Sequence, residues 1–62
     1  MKAVFTQPGN PEYEQTRGLR HVPRVGDLVE LLGRVYRVTE VLWTPDLAAT
    51  ADARIQLGKE IK

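Results

Sequence analysis

The run Val25–Trp43, VGDLVELLGRVYRVTEVLW, constrains this chain more than any other segment. Apolar and polar residues alternate on both sides of Gly33-Arg34, the pattern of a β-hairpin with one face on a core. Gly33 as the first loop residue suits a type II′ turn, which needs a positive φ there. With that loop Leu31 faces Tyr36 and Val29 faces Val38 on one side of the sheet. On the other side Glu30 faces Arg37 and Leu28 faces Thr39. Opposed pairs of this kind each add roughly 0.2–1 kcal/mol. At the open end Asp27 would meet Glu40, an unfavourable pair. The spacing therefore predicts a bulge near Thr39-Glu40, which also returns Val41 and Trp43 to the phase of Tyr36 and Val38.

The same segment has a helical rival. Leu28, Leu31, Leu32, Val35, Val38 and Leu42 fall close to the spacing of an amphipathic helix. Against it stand the β-branched Val29, Val35, Val38, Thr39 and Val41, the strand-favouring Tyr36 and Trp43, and a mid-helix Gly33. That glycine alone would cost about 1 kcal/mol relative to alanine. The strand reading is the one adopted.

Around the hairpin the signals are weaker. Met1–Thr6 reads as a short strand with Met1, Ala3 and Phe5 on one side. Residues 7–20, QPGNPEYEQTRGLR, hold two prolines and two glycines and almost no apolar periodicity, so a long irregular loop is predicted there. Pro23 biases Val22 to extended geometry, and Gly26-Asp27 makes a turn before the hairpin. Thr44 as N-cap and Pro45 as first helical residue allow one short helical turn over 45–50. Ala53–Leu57 alternates, with Ala53, Ile55 and Leu57 inward. Gly58 ends that strand and residues 58–62 form a tail. The predicted core is Phe5, Val25, Val29, Leu31, Tyr36, Val38, Val41, Trp43, Ile55 and Leu57.

These pieces make one mainly β domain over residues 1–62, a curled four- to five-stranded antiparallel meander or small barrel. At 62 residues without cysteine, no disulfide or thiolate metal site can staple the fold, and the single His21 cannot build a zinc site. No cofactor is expected. The nine Lys/Arg against eight Asp/Glu leave a net charge of +1, which is no signature of a nucleic-acid or membrane surface. No apolar run approaches the roughly 20 residues of a membrane span and no apolar leader opens the chain, so a cytoplasmic protein is expected.

The segment Val22–Trp43, with its Gly26-Asp27 turn, the Gly33 reversal and the spacing of Tyr36, Val38, Val41 and Trp43, resembles small SH3-like β-barrels. Similar short proteins occur among phage, prophage and plasmid products. The resemblance covers about a third of the chain and implies a fold; such barrels host many roles. The aromatic residues that line the proline-peptide groove of eukaryotic SH3 domains are not identifiable here.

Three functions are weighed. The first is a non-enzymatic protein-interaction module, phage-related by resemblance only, that dimerises or docks on a larger protein. Its surface would be Leu28, Leu32, Val35 and Leu42 on the outward phase, with Tyr13 as an exposed aromatic anchor. Those apolar side chains would alternatively be covered by the 7–20 loop. Strand edges at Met1–Thr6 or Ala53–Leu57 would invite pairing with another chain. The second is a nucleic-acid-binding barrel using the basic segment Arg17, Arg20, His21 and Arg24, with Arg37 and Arg54. Tyr36 and Trp43 would be its stacking platform, although their phase puts them in the core. The third is an enzyme whose site forms only between subunits. No nucleophile–base arrangement, phosphate loop or carboxylate pair supports it. The solvated alternative is that the acidic Glu12 and Glu14 and the basic residues after them only make surface pairs worth about 0–1 kcal/mol.

Overall fold

A computed structural model describes residues 1–44 and 51–61. Five strands follow one another: β1 (Lys2–Gln7), β2 (Asn10–Gly18), β3 (Leu28–Leu31), β4 (Arg34–Trp43) and β5 (Ala53–Glu60). They form one sheet in the order β2-β1-β5-β4-β3. Every neighbouring pair is antiparallel except β1 and β5, which run parallel with Ala3 against Ala53 and Phe5 against Ile55. The mainly β fold is as predicted, and among the described residues there is no helix. The helical turn foreseen over 45–50 lies outside the described residues.

The hairpin exists, but its turn is one residue earlier. Leu32 and Gly33 are the central pair, with φ of 53° and 80°, a type I′ geometry in place of the expected II′. Leu31 therefore pairs with Arg34, Val29 with Tyr36, Glu30 with Val35 and Leu28 with Arg37. A shift of two positions preserves the faces, so Leu31, Tyr36 and Val38 are buried as expected while the cross-strand partners change. The physical gain is at the open end. Asp27 now lies opposite Val38, whose N–H donates to the Asp27 carbonyl at 2.8 Å, and the Asp27–Glu40 clash never arises. The predicted bulge is present: Val38 pairs with Leu57 and Glu40 with Gln56, leaving Thr39 as the extra residue.

Residues 7–20 are not an irregular loop. After a turn at Pro8-Gly9 they form β2, antiparallel to β1. Its inward positions are Tyr13, Gln15 and Arg17, so the period of two carries almost no hydrophobic signal. Pro11 is tolerated because β2 is an edge. The edges proposed from sequence are displaced accordingly: β1 and β5 are interior strands, and the open edges belong to β2 and β3. Gly58 does not end β5. Tyr36 pairs with Glu60 while Val38 pairs with Leu57, so Gly58-Lys59 form a second bulge, and the Ile61 N–H donates to the Val35 carbonyl at 2.7 Å.

The sheet curls into a half-barrel. Tyr13 on β2 and Tyr36 on β4 are three strand spacings apart in order, about 14 Å in a flat sheet, yet their rings are in contact. The concave face holds the core of Ala3, Phe5, Leu31, Tyr36, Val38, Ile55 and Leu57. Val29 and Val41 are partly buried against it. Two predicted core residues are not buried: Val25 is 64% exposed and Trp43 is 53% exposed. Val25 falls in the turn before β3. Trp43 is on the inner phase opposite Ala53, but at the last position of β4.

Candidate interaction site

Leu28, Leu32, Val35 and Leu42 do not make one patch. Leu28, Val35 and Leu42 lie on the convex phase, and Leu32 is at the tip of the hairpin. Val35 and Leu42 stand at opposite ends of β4, roughly 23 Å apart at ordinary strand rise. Leu28, Leu32 and Leu42 are exposed and Val35 is half-buried, so β2 does not cover them. Tyr13 is not an exposed anchor. It is half-buried on the concave side, with its hydroxyl enclosed and without a hydrogen-bond partner. Burial pushes its phenol above the ordinary value, the Tyr36 phenol adds to the shift, and Arg17 and Arg34 oppose it.

The six basic residues are also divided. Arg54 is on the convex face beside Glu14, at 3.8 Å. The Arg37 guanidinium donates to the Gly26 carbonyl at 3.1 Å. Arg17 is half-buried on the inner phase and donates to the Thr16 carbonyl at 2.9 Å. Arg20, His21 and Arg24 remain together on the connection from β2 to β3.

That connection meets the end of β4 and forms a groove of about 730 Å³. Its apolar wall is Met1, Val22, Val25, Val41 and Trp43, and its rim is Arg20, His21 and Arg24. The wall is set by the local chain. The Asp27 carboxylate accepts from the Arg24 N–H at 2.8 Å, and the Asp27 N–H donates to the Arg24 carbonyl at 3.0 Å, closing a tight turn. Gly26 at φ 96° permits it. At the other side the Leu19 N–H donates to the Met1 carbonyl at 2.6 Å, fixing the start of the connection to β1. Next to Trp43, Thr44 is buried and donates through its hydroxyl to the Ala51 carbonyl at 3.1 Å.

Sequence reasoning assigned Trp43 to the core and Arg20–Arg24 to a separate loop. The signal that joins them is positional: Trp43 is the final strand residue before Thr44-Pro45, and the basic segment must cross the same end of the sheet to reach β3. A second opening of about 480 Å³ separates the end of β2 from β3 and reaches Phe5, Val29 and Leu31, so the barrel is not closed. Among the described residues no three potential metal ligands cluster, and no helix is long and apolar enough to cross a membrane. In comparisons with known proteins, no family model, no curated protein and no solved structure matches this chain.

Proposed function

We propose that this protein is a non-enzymatic interaction module that docks on another protein through the groove beside Trp43. The observation that carries the reading is the indole itself: 53% exposed, flanked by the exposed Met1 and Val25 and rimmed by two arginines. Aromatic, methionine and arginine side chains are the types enriched where protein surfaces meet, with the aromatic as anchor. The test is a photo-reactive phenylalanine analogue at position 43 in the cell that makes the protein. A covalent adduct to one protein species supports the reading. Adducts confined to nucleic acid, or none, overturn it.

The nucleic-acid reading keeps one supporting observation, the presence of Trp43 in the same groove as Arg20, His21 and Arg24. A stacked base with its phosphate on an arginine would use that combination. The division of Arg17, Arg37 and Arg54 over other surfaces leaves no continuous track for a longer strand. Anisotropy of a labelled single-stranded oligonucleotide at low salt separates the two, since nucleic-acid binding weakens steeply as salt rises.

A further inference from the structure

The open edge of β2 carries a self-complementary pattern. Met1 and Leu19 exchange both backbone hydrogen bonds, at 2.6 and 2.7 Å. In an antiparallel ladder this makes Ala3–Arg17 and Phe5–Gln15 the next bonded pairs. The N–H and C=O groups of Glu14, Thr16 and Gly18 therefore point away from β1, to the free side. The Thr16 carbonyl accepts from the Arg17 guanidinium at 2.9 Å, in keeping with an oxygen that does not bond to β1. Exposure alternates from Glu12 to Arg20: Glu14, Thr16 and Gly18 share the convex phase of the β1–β2 ladder, Glu12 lies in the bulge between Asn10 and Glu14, and Arg20 lies two residues past the end of β2. Acid occupies the first half of this edge and base the second. Among the described residues neither Glu12 nor Arg20 makes an ion pair within the chain.

We infer that two copies of this chain associate by antiparallel pairing of β2 with β2, centred on Thr16. In that register Thr16 bonds to its own copy, and Glu14 lies opposite Gly18 on either side. Glu12 then faces Arg20 twice, Gln15 faces Arg17 twice, and Tyr13 faces Leu19 twice. Other symmetric registers that match open backbone groups are worse. Centring on Gln15 leaves every charge without an opposite partner, centring on Glu14 stacks it on its own copy, and centring on Arg17 stacks the two guanidinium groups. Like charges directly opposed in a sheet disfavour pairing. The Thr16 carbonyl keeps a second lone pair, so Arg17 need not release it. The result joins two five-stranded sheets into one. This association uses the β2 edge and shares only Arg20 with the rim of the Trp43 groove, so the amide-exchange readout on the unsubstituted chain separates it from whatever fills that groove.

Sedimentation equilibrium up to millimolar concentration tests the inference, with charge-reversed variants fixing the register. The wild type shows a concentration-dependent doubling of mass. Glu12→Arg alone and Arg20→Glu alone are monomeric over the same range, because each opposes like charges. Mixed in equal amounts they restore the dimer, since each variant carries the charge the other lacks. Amide exchange on the wild type needs no substitution: protection at Glu14, Thr16 and Gly18 rises with concentration. A wild type that stays monomeric, a mixture that stays monomeric, or protection rising at Leu28 and Glu30 of β3 instead would overturn the inference. Retained capture through position 43 by a purely monomeric chain would sink the dimer and leave the docking function intact.

Discussion

Tyr13 of β2 packs edge-on against Tyr36 of β4, with ring centroids 6.2 Å apart and planes at 62°. Among the described residues no backbone pairing joins the two open edges, and this contact helps tie the β2 edge of the curl to the β4 side. An aromatic pair of this geometry is worth about 0.5–1.5 kcal/mol beyond area burial. Removing the ring should therefore loosen the curl without dissolving the sheet.

Tyr13→Phe keeps the ring and removes a buried hydroxyl that makes no hydrogen bond of good geometry, the Tyr36 phenol acting on its titration without meeting that geometry. An unsatisfied buried polar group costs about 1–3 kcal/mol. The expected outcome is a urea midpoint equal to or above that of the wild type, whereas Tyr13→Ala lowers the unfolding free energy by about 2 kcal/mol or more. A clear loss of stability in the phenylalanine variant would mean that the hydroxyl is bonded.

The same group sets an alkaline limit. The Tyr13 phenol is held above the ordinary tyrosine value, first by desolvation. The folded state thus favours the neutral form. Its stabilising effect is complete below the unfolded phenol's value and is lost as pH rises through the higher folded one. Stability should fall on the alkaline side from about pH 10 upward, and the fall should be smaller in Tyr13→Phe. Thermal melts across that range check it.

At the hairpin tip, Leu32 adopts φ 53°, a conformation that costs a branched residue about 1–2 kcal/mol. Leu32→Asn supplies the residue a type I′ turn prefers before glycine and should stabilise by about 0.5–1 kcal/mol. Gly33→Ala, at φ 80°, should destabilise by about the same or more. Chemical denaturation of the pair decides whether the turn is Leu32-Gly33 or Gly33-Arg34.

The extent to which the sequence disclosed this fold follows from where its signals are local. The alternation through β3 and β4 and the bulge at Thr39 were legible because apolar residues mark every inward-phase position of the two strands except Arg34. The turn type was not, because two registers two residues apart bury the same side chains. β2 escaped notice since its inward Gln15 and Arg17 look like loop residues and its partner β1 is what orders it. The parallel β1–β5 pair joins Ala3 to Ala53, too distant for any local pattern to reveal. For the site, the individual residues Arg20, His21, Arg24 and Trp43 were identified, but not that one end of the sheet brings them together.

Gly58 tests the second bulge. A Cβ there would lie 2.9 Å from Thr39 Cγ2 and 3.4 Å from the Arg37 carbonyl. Gly58→Ala should therefore destabilise by about 1–3 kcal/mol, the range for overpacking. Thr39→Ser removes Cγ2 while keeping the hydroxyl that donates to the Gln56 carbonyl at 3.1 Å. Combined, the two substitutions should cost measurably less than their sum, a coupling that a double-mutant cycle reads directly.

Trp43 and Phe5 separate surface from core most plainly. Phe5 is 2% exposed at the centre of the concave face, and Phe5→Ala should cost about 3–5 kcal/mol or abolish folding. Trp43 sits on the same phase of the sheet, yet more than half of it faces solvent. Trp43→Ser should lower stability by only about 1 kcal/mol or less, in keeping with a substitution that leaves no closed cavity. Its emission should report a water-exposed indole that acrylamide quenches readily in the folded state. A blue-shifted, shielded indole, together with a stability loss matching that of Phe5→Ala, would return Trp43 to the core and remove the groove as a docking surface.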